Sequence, residues 1–151
     1  MKNQYYKILD ALKEKFKQAG VNTITFGDTS DIDIANKNIY PILHISPIPI
    51  TMGIQTTILS FTLVIADMVD FEKEGGENEF DKKFYGKDNM QDVLQDLLGL
   101  SEGAITEFHN MNHELPLSIN FPIQFQPFLD DLEEVISGYV FDLDIEVKNL
   151  C

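Results

Sequence analysis

The sequence predicts an α+β domain, a mainly antiparallel sheet with two helices packed on one face. Three observations carry that expectation. Residues 3–19 and 89–110 repeat apolar side chains at helical spacing, whereas several other stretches are extended, alternating with period two or broken by proline. The elements run helix, strands, long loop, helix, strands. At 151 residues, with 44% hydrophobic and 24% charged residues, the chain has the size and composition of one domain with a real core.

In the first helix, Tyr5, Ile8, Leu9, Leu12, Phe16 and Ala19 share one side and lysines fill the other, with Gly20 as a natural stop. A short strand at Thr23–Phe26 follows, then a polar turn region from Gly27 to Lys37. Tyr40–Ile50 is extended, because Pro41, Pro47 and Pro49 exclude a helix; the same prolines demote its second half to a sheet edge or a loop. Met52-Gly53 marks a turn into a long strand, Ile54–Asp70. Ile58, Leu59, Phe61, Leu63, Val64 and Ile65 place apolar groups on both of its faces, which predicts cover on both, by a helix on one side and a neighbouring subunit on the other.

Residues 71–88 predict a mobile acidic loop containing Glu72, Glu74, Gly75-Gly76, Glu77 and Glu79. Asp88, with Gln91 three residues on, predicts the N-terminal cap of the second helix. Met90, Val93, Leu94, Leu97, Leu98, Ile105 and Phe108 form its apolar stripe, and Gly99 and Gly103 weaken it and mark a bend. Short extended pieces at Leu115–Ile119 and Pro122–Phe128 follow; Leu129–Ser137 fits a helical turn or a strand, and in the second case one long strand reaches from about Glu133 to Val147. There Phe141, Leu143, Ile145 and Val147 fall on one face and Asp142, Asp144 and Glu146 on the other. Such a row of carboxylates repels itself unless water, a cation or a basic partner sits opposite.

Charge bounds the function. There are 25 acidic residues against 11 basic ones, a net charge of −14, and every cation is a lysine. That balance argues against a broad phosphate-binding surface, and without arginine no bidentate reading of phosphates or guanine edges is available. The one cysteine, Cys151, permits no intrachain disulfide. With no apolar leader after Met1 and no run long enough to span a bilayer, the chain is expected to be cytoplasmic when made.

Chemistry-bearing patterns are sparse. His109 and His113 are four apart, but Asn110 stands where a zinc-peptidase helix needs glutamate, so a polar helix end is expected rather than a metal site. Asp28, Ser30, Asp31 and Asp33 resemble a calcium loop in neither register, lacking the glycine at its sixth position and the glutamate at its twelfth. His44 has no nucleophile elbow to serve and reads as a satisfied or exposed strand histidine. Phe121, Phe125 and Phe128 cluster as core or as an interface. No catalytic residue, metal or cofactor is predicted.

Several local phrases resemble the tail-terminator and tail-completion family of tailed bacteriophages and related neck-ring proteins. They are Ile8-Leu9-Asp10-Ala11-Leu12 in the opening helix, and Thr25-Phe26-Gly27-Asp28-Thr29-Ser30-Asp31-Ile32-Asp33-Ile34 leading into Tyr40-Pro41. Val64-Ile65-Ala66-Asp67-Met68-Val69-Asp70, Asp88-Asn89-Met90-Gln91-Asp92-Val93-Leu94 and Gln126-Pro127-Phe128 complete the set. The likeness covers most of the chain, and its lysine-rich, arginine-free usage resembles the versions from phages of Bacteroidetes-type hosts.

The resemblance implies one tail-terminator-like domain over 1–151, in a non-enzymatic virion protein that forms a ring at the head–tail junction or the tail end. Such a ring joins portal-side and tail components and leaves a channel through which DNA passes without sequence-specific binding. Implied partners are further copies of the chain and neighbouring portal, adaptor, ring or tail-tube proteins, with no membrane. The implied location is the virion, and the host cytoplasm during assembly. Asp142, Asp144 and Glu146, with Glu72, Glu74, Glu77 and Glu79, then become candidate lumen or subunit-contact residues, set against a plain wet face. The alternative is a small cytosolic α+β ligand-binding module or hydrolase with a pocket near His44 or the His109/His113 pair. A third reading, an acidic antagonist mimicking DNA, needs carboxylates spaced like phosphates over a wide surface, and here the acids are spread over turns and loops too.

Overall fold

In the computed structural model, which describes residues 4–28, 40–68, 90–129 and 136–148, the chain opens with helix α1, Gln4–Ala19. Its apolar stripe buries Ile8, Leu12 and Phe16 completely. Gly20 ends it at φ 129°, in the left-handed region. The Gly20 N–H donates to the Lys17 carbonyl and the Val21 N–H to the Phe16 carbonyl, so two orphan carbonyls of the last turn are satisfied.

Strands β1 (Thr23–Phe26), β2 (Ile42–Met52) and β3 (Thr56–Met68) follow. Helix α2 (Met90–His109), a 3-10 turn (Asn110–His113) and strands β4 (Leu117–Ile119), β5 (Gln126–Leu129) and β6 (Ile136–Lys148) complete the order. The acidic segment 71–88, including the Asp88 cap, and most of the 27–37 turn region lie outside the described residues. Helix α2 is continuous through Gly99 and Gly103, the positions expected to weaken it. A Cβ at either glycine would meet nothing within 4 Å, so both lie on open surface. The helix is held by its other side, where Val93, Leu97, Ala104, Ile105 and Phe108 are buried.

The six strands form one sheet in the order β1-β2-β3-β6-β4, with β5 also on β6. Only β1 and β2 are parallel; all other pairs are antiparallel. The expected α+β class, with a mainly antiparallel sheet and two helices, is the one observed. β6 is an interior strand: it pairs with β3 from Ile136 to Lys148, and β4 and β5 share its other edge. The prolines of β2 obey sheet chemistry. Its partner β1 ends opposite Ile45, so Pro47 and Pro49 lie where that side of β2 has no described neighbour, and a register shift follows between Ile48 and Thr51.

The helices cover one face of the sheet. Leu43 and Ile45 of β2, Leu59, Phe61, Leu63 and Ile65 of β3, and Phe141, Leu143, Ile145 and Val147 of β6 pack there against α1 and α2 as one core. Each fully buried Leu, Ile or Phe contributes roughly 1.5–3 kcal/mol. On the opposite face Tyr40 and Phe128 pack over a small cluster of Ile42, Ala66 and Ile136. Elsewhere on that face Ile58, Ser60, Thr62 and Val64 of β3 are half-buried, and among the described residues no helix lies over them. None of the described helices is long and apolar enough to cross a membrane.

Candidate functional site

The register turns the face that no described helix covers into a grid. Across the strands run Thr25, His44, Val64, Val140 and Gln126; next Ser46, Thr62 and Asp142; next Ile48, Ser60 and Asp144; then Ile58, Glu146 and Ser118. The carboxylate row expected on the last strand is therefore present, and it crosses the interior of the sheet rather than its rim. Thr62 Oγ1 donates to Asp142 Oδ1 at 2.7 Å. Among the described residues no lysine forms an ion pair with Asp142, Asp144 or Glu146. Glu72, Glu74, Glu77 and Glu79 lie outside the described residues.

His44 stands beside the row but is spent on structure. It is only 1% exposed. Its Nε2 lies 3.1 Å from the Gly27 carbonyl and 3.0 Å from the Asp28 carbonyl. Two acceptors there require Nε2 to carry the proton, leaving Nδ1 to accept from the Thr25 hydroxyl at 2.6 Å. The ring pins the end of β1 over β2, and both of its nitrogens are used. It is the satisfied strand histidine of the two sequence readings. His109, at the end of α2, packs edge-on against Phe121, ring centroids 5.4 Å apart. Its Nδ1 is buried without a partner. Among the described residues no group of three or more His, Cys, Asp or Glu is placed to hold a metal ion. The three phenylalanines divide: Phe125 packs on Phe141 and Tyr139, Phe128 joins the small cluster, and Phe121 is exposed.

Among the described residues, clefts indent the surface in three places relevant to the grid and the helices. One of about 520 Å³ lies on the grid itself, lined by Gly27, Asp28, Ser46, Pro47, Ile48 and Thr62. Ser46 is 5% exposed and its hydroxyl has no hydrogen-bond partner. A second, of about 610 Å³, sits at the end of the sheet among Thr56, Leu115, Pro116, Ser118, Glu146 and Lys148. The third, of about 350 Å³, separates the helices between Lys15, Gln18, Gly99 and Gly103. His44 and His109 line none of them.

Three titrating groups are displaced, all outside the grid: burial raises the pKa of Tyr5 and Tyr139, and the third is Asp67. Asp67, at the end of β3 on the helix side, is half-buried, and that burial raises its pKa above the ordinary carboxylate value, with Asp96 of α2 adding like-charge repulsion. Its Oδ1 accepts the Met68 N–H at 2.8 Å, which acts in the opposite direction.

Sequence reasoning missed the β2–β3 hairpin tip. Ile50 is half exposed, Met52 is 80% exposed and Ile54 99% exposed. The signal was present: no Asp, Glu, Lys or Arg occurs between Lys37 and Asp67 in a chain of net charge −14. Ser46 and Thr62 were missed because only the register places them in line with Asp142. Compared with known proteins, the chain matches no family model and no curated sequence.

Proposed function

We propose that the chain is a non-enzymatic structural virion protein that assembles into a ring at the head–tail junction or tail end. There it joins portal-side and tail components around a DNA channel. The observation that carries this reading is the uncharged hairpin of β2 and β3, with Ile50, Met52 and Ile54 exposed at its tip. Copies carrying −14 each repel one another. Close lateral packing must then run through surface without charge, and the hairpin is the longest such surface in the sequence. Exposed large apolar side chains gathered at one place are the usual mark of a protein contact. The local resemblance to tail-terminator and neck-ring proteins supports the same reading, with the virion, and the host cytoplasm during assembly, as the location.

The test is mass photometry of the purified chain, alone and with its neighbouring ring proteins. A closed oligomer is the expected result, and Ile54→Asp should dissociate it while the circular dichroism spectrum is unchanged. A wild-type chain that stays monomeric in both conditions refutes the ring.

A further inference from the structure

We propose that the face of the sheet that no described helix covers docks an extended, arginine-bearing segment of another protein. This goes beyond the ring and does not depend on it, since a monomer presents the same face. It also replaces the lumen as the setting of the carboxylate row.

The first support is unanswered charge. Asp142, Asp144 and Glu146 stand at alternate positions of one strand, so neighbouring carboxylates are about 7 Å apart. Side chains i, i+2 and i+4 of a second extended segment have the same repeat. The only described hydrogen bond to the row is that of the Thr62 hydroxyl to Asp142. Among the described residues the surrounding face supplies hydroxyls, from Ser60, Thr62 and Ser118, and no cation before Lys148.

The second support is independent of charge. Ser46 lies in the same cross-strand line as Thr62 and Asp142, it is 95% removed from solvent, it lines the 520 Å³ cleft, and its hydroxyl has no hydrogen-bond partner. A buried hydroxyl left unpaired is unfavourable, and a donor entering the cleft from outside relieves it. Pro47 and Ile48 offer apolar walls to an aliphatic stem, and a guanidinium, with five N–H donors, reaches Ser46 Oγ while keeping others for neighbouring acceptors.

The partner is a different protein. The chain has no arginine and a net charge of −14, so a second copy brings the wrong sign to this face. Arginine on alternate residues of an extended segment fits both the repeat of the row and the cleft beside it.

The test uses a labelled, terminally blocked (Arg-Thr)4 peptide with the full chain, read by fluorescence anisotropy near physiological salt. Two triple variants of equal charge change are compared: Asp142→Asn/Asp144→Asn/Glu146→Gln on the face, and Glu14→Gln/Glu102→Gln/Glu107→Gln on the helices. The face triple is expected to weaken binding by about tenfold or more and the helix triple by no more than about twofold. Ser46→Ala should weaken (Arg-Thr)4 but not (Lys-Thr)4, with no loss of thermal stability, because the hydroxyl it removes has no partner in the free chain. Equal effects of the two triples would reduce the binding to net charge and overturn the proposal. So would undetectable binding by the wild type. A face triple that alters the oligomer mass but not the peptide affinity assigns the face to a second copy, and likewise overturns it. Loss of the oligomer by Ile54→Asp with peptide binding intact separates this inference from the ring.

Discussion

Gly138→Ala should be among the most damaging single substitutions in the sheet. Gly138 of β6 lies opposite Ala66 of β3 and is buried. A Cβ built there would overlap the Ile65 carbonyl oxygen and fall 2.8 Å from the Ala66 Cα. Those atoms are backbone in the middle of a paired strand and cannot swing aside as a side chain would. Restoring an ordinary contact of about 3.5 Å requires the two strands to separate locally by more than an ångström. Overpacking of this kind costs about 1–3 kcal/mol, and each ladder hydrogen bond stretched open adds roughly 1 kcal/mol, so about 3 kcal/mol or more is expected. For a domain of this length each kcal/mol moves Tm by about 2–4 °C, which predicts a fall of about 10 °C. Urea denaturation followed by far-ultraviolet circular dichroism measures the difference directly, provided the slope with urea is unchanged. A loss below about 1 kcal/mol would refute the reasoning, because it would mean that Gly138 does not face the β3 backbone in this register.

The opposite sign is expected on α2: Gly99→Ala and Gly103→Ala, each entering open space, should stabilise the chain by about 0.5–1 kcal/mol apiece, read from the same denaturation curves. Asp67→Asn should also stabilise at neutral pH, by under about 1 kcal/mol given the partial exposure of the group. The folded-state pKa of Asp67 is raised, so its ionisation weakens the fold as pH rises through that value; the advantage of Asn should therefore shrink on acidification and vanish below the ordinary aspartate range. A gain that persists undiminished at low pH would assign the effect to something other than this carboxylate.

What could be read from the sequence was whatever depends on near neighbours. The α1 stripe and its Gly20 stop are local, as is the alternation of Phe141 to Val147 against Asp142, Asp144 and Glu146, and all of these are present. Pro47 and Pro49 announced an open strand side for a reason confined to their own missing N–H groups. Pairing partners were not legible. Nothing local says that β1 runs parallel to β2, or that β6 inserts between β3 and β4. Hence the acids could be assigned to one face of a strand but not to the interior of the face that no described helix covers. Ser46 and Thr62 join the candidate site, and Gly138 becomes indispensable, only through that long-range register. Gly99 and Gly103 do not interrupt α2, because helix propensity is a small term beside the burial of Leu97, Ala104, Ile105 and Phe108.

The interior position of β6 has a consequence for how the chain is made. β6 is the last of the described elements, yet it supplies partners to β3, β4 and β5. During synthesis the helices and the first three strands leave the ribosome before the segment that completes them. Until residues 136–148 emerge, one whole edge of β3, from Thr56 to Met68, has nothing to pair with, and the uncharged hairpin beside it presents its apolar groups to solvent. Closing that sheet means joining segments about 80 residues apart in the chain, an ordering that is intrinsically slow. Folding therefore completes after translation of this region, and the interval before it is when the nascent protein most needs a chaperone.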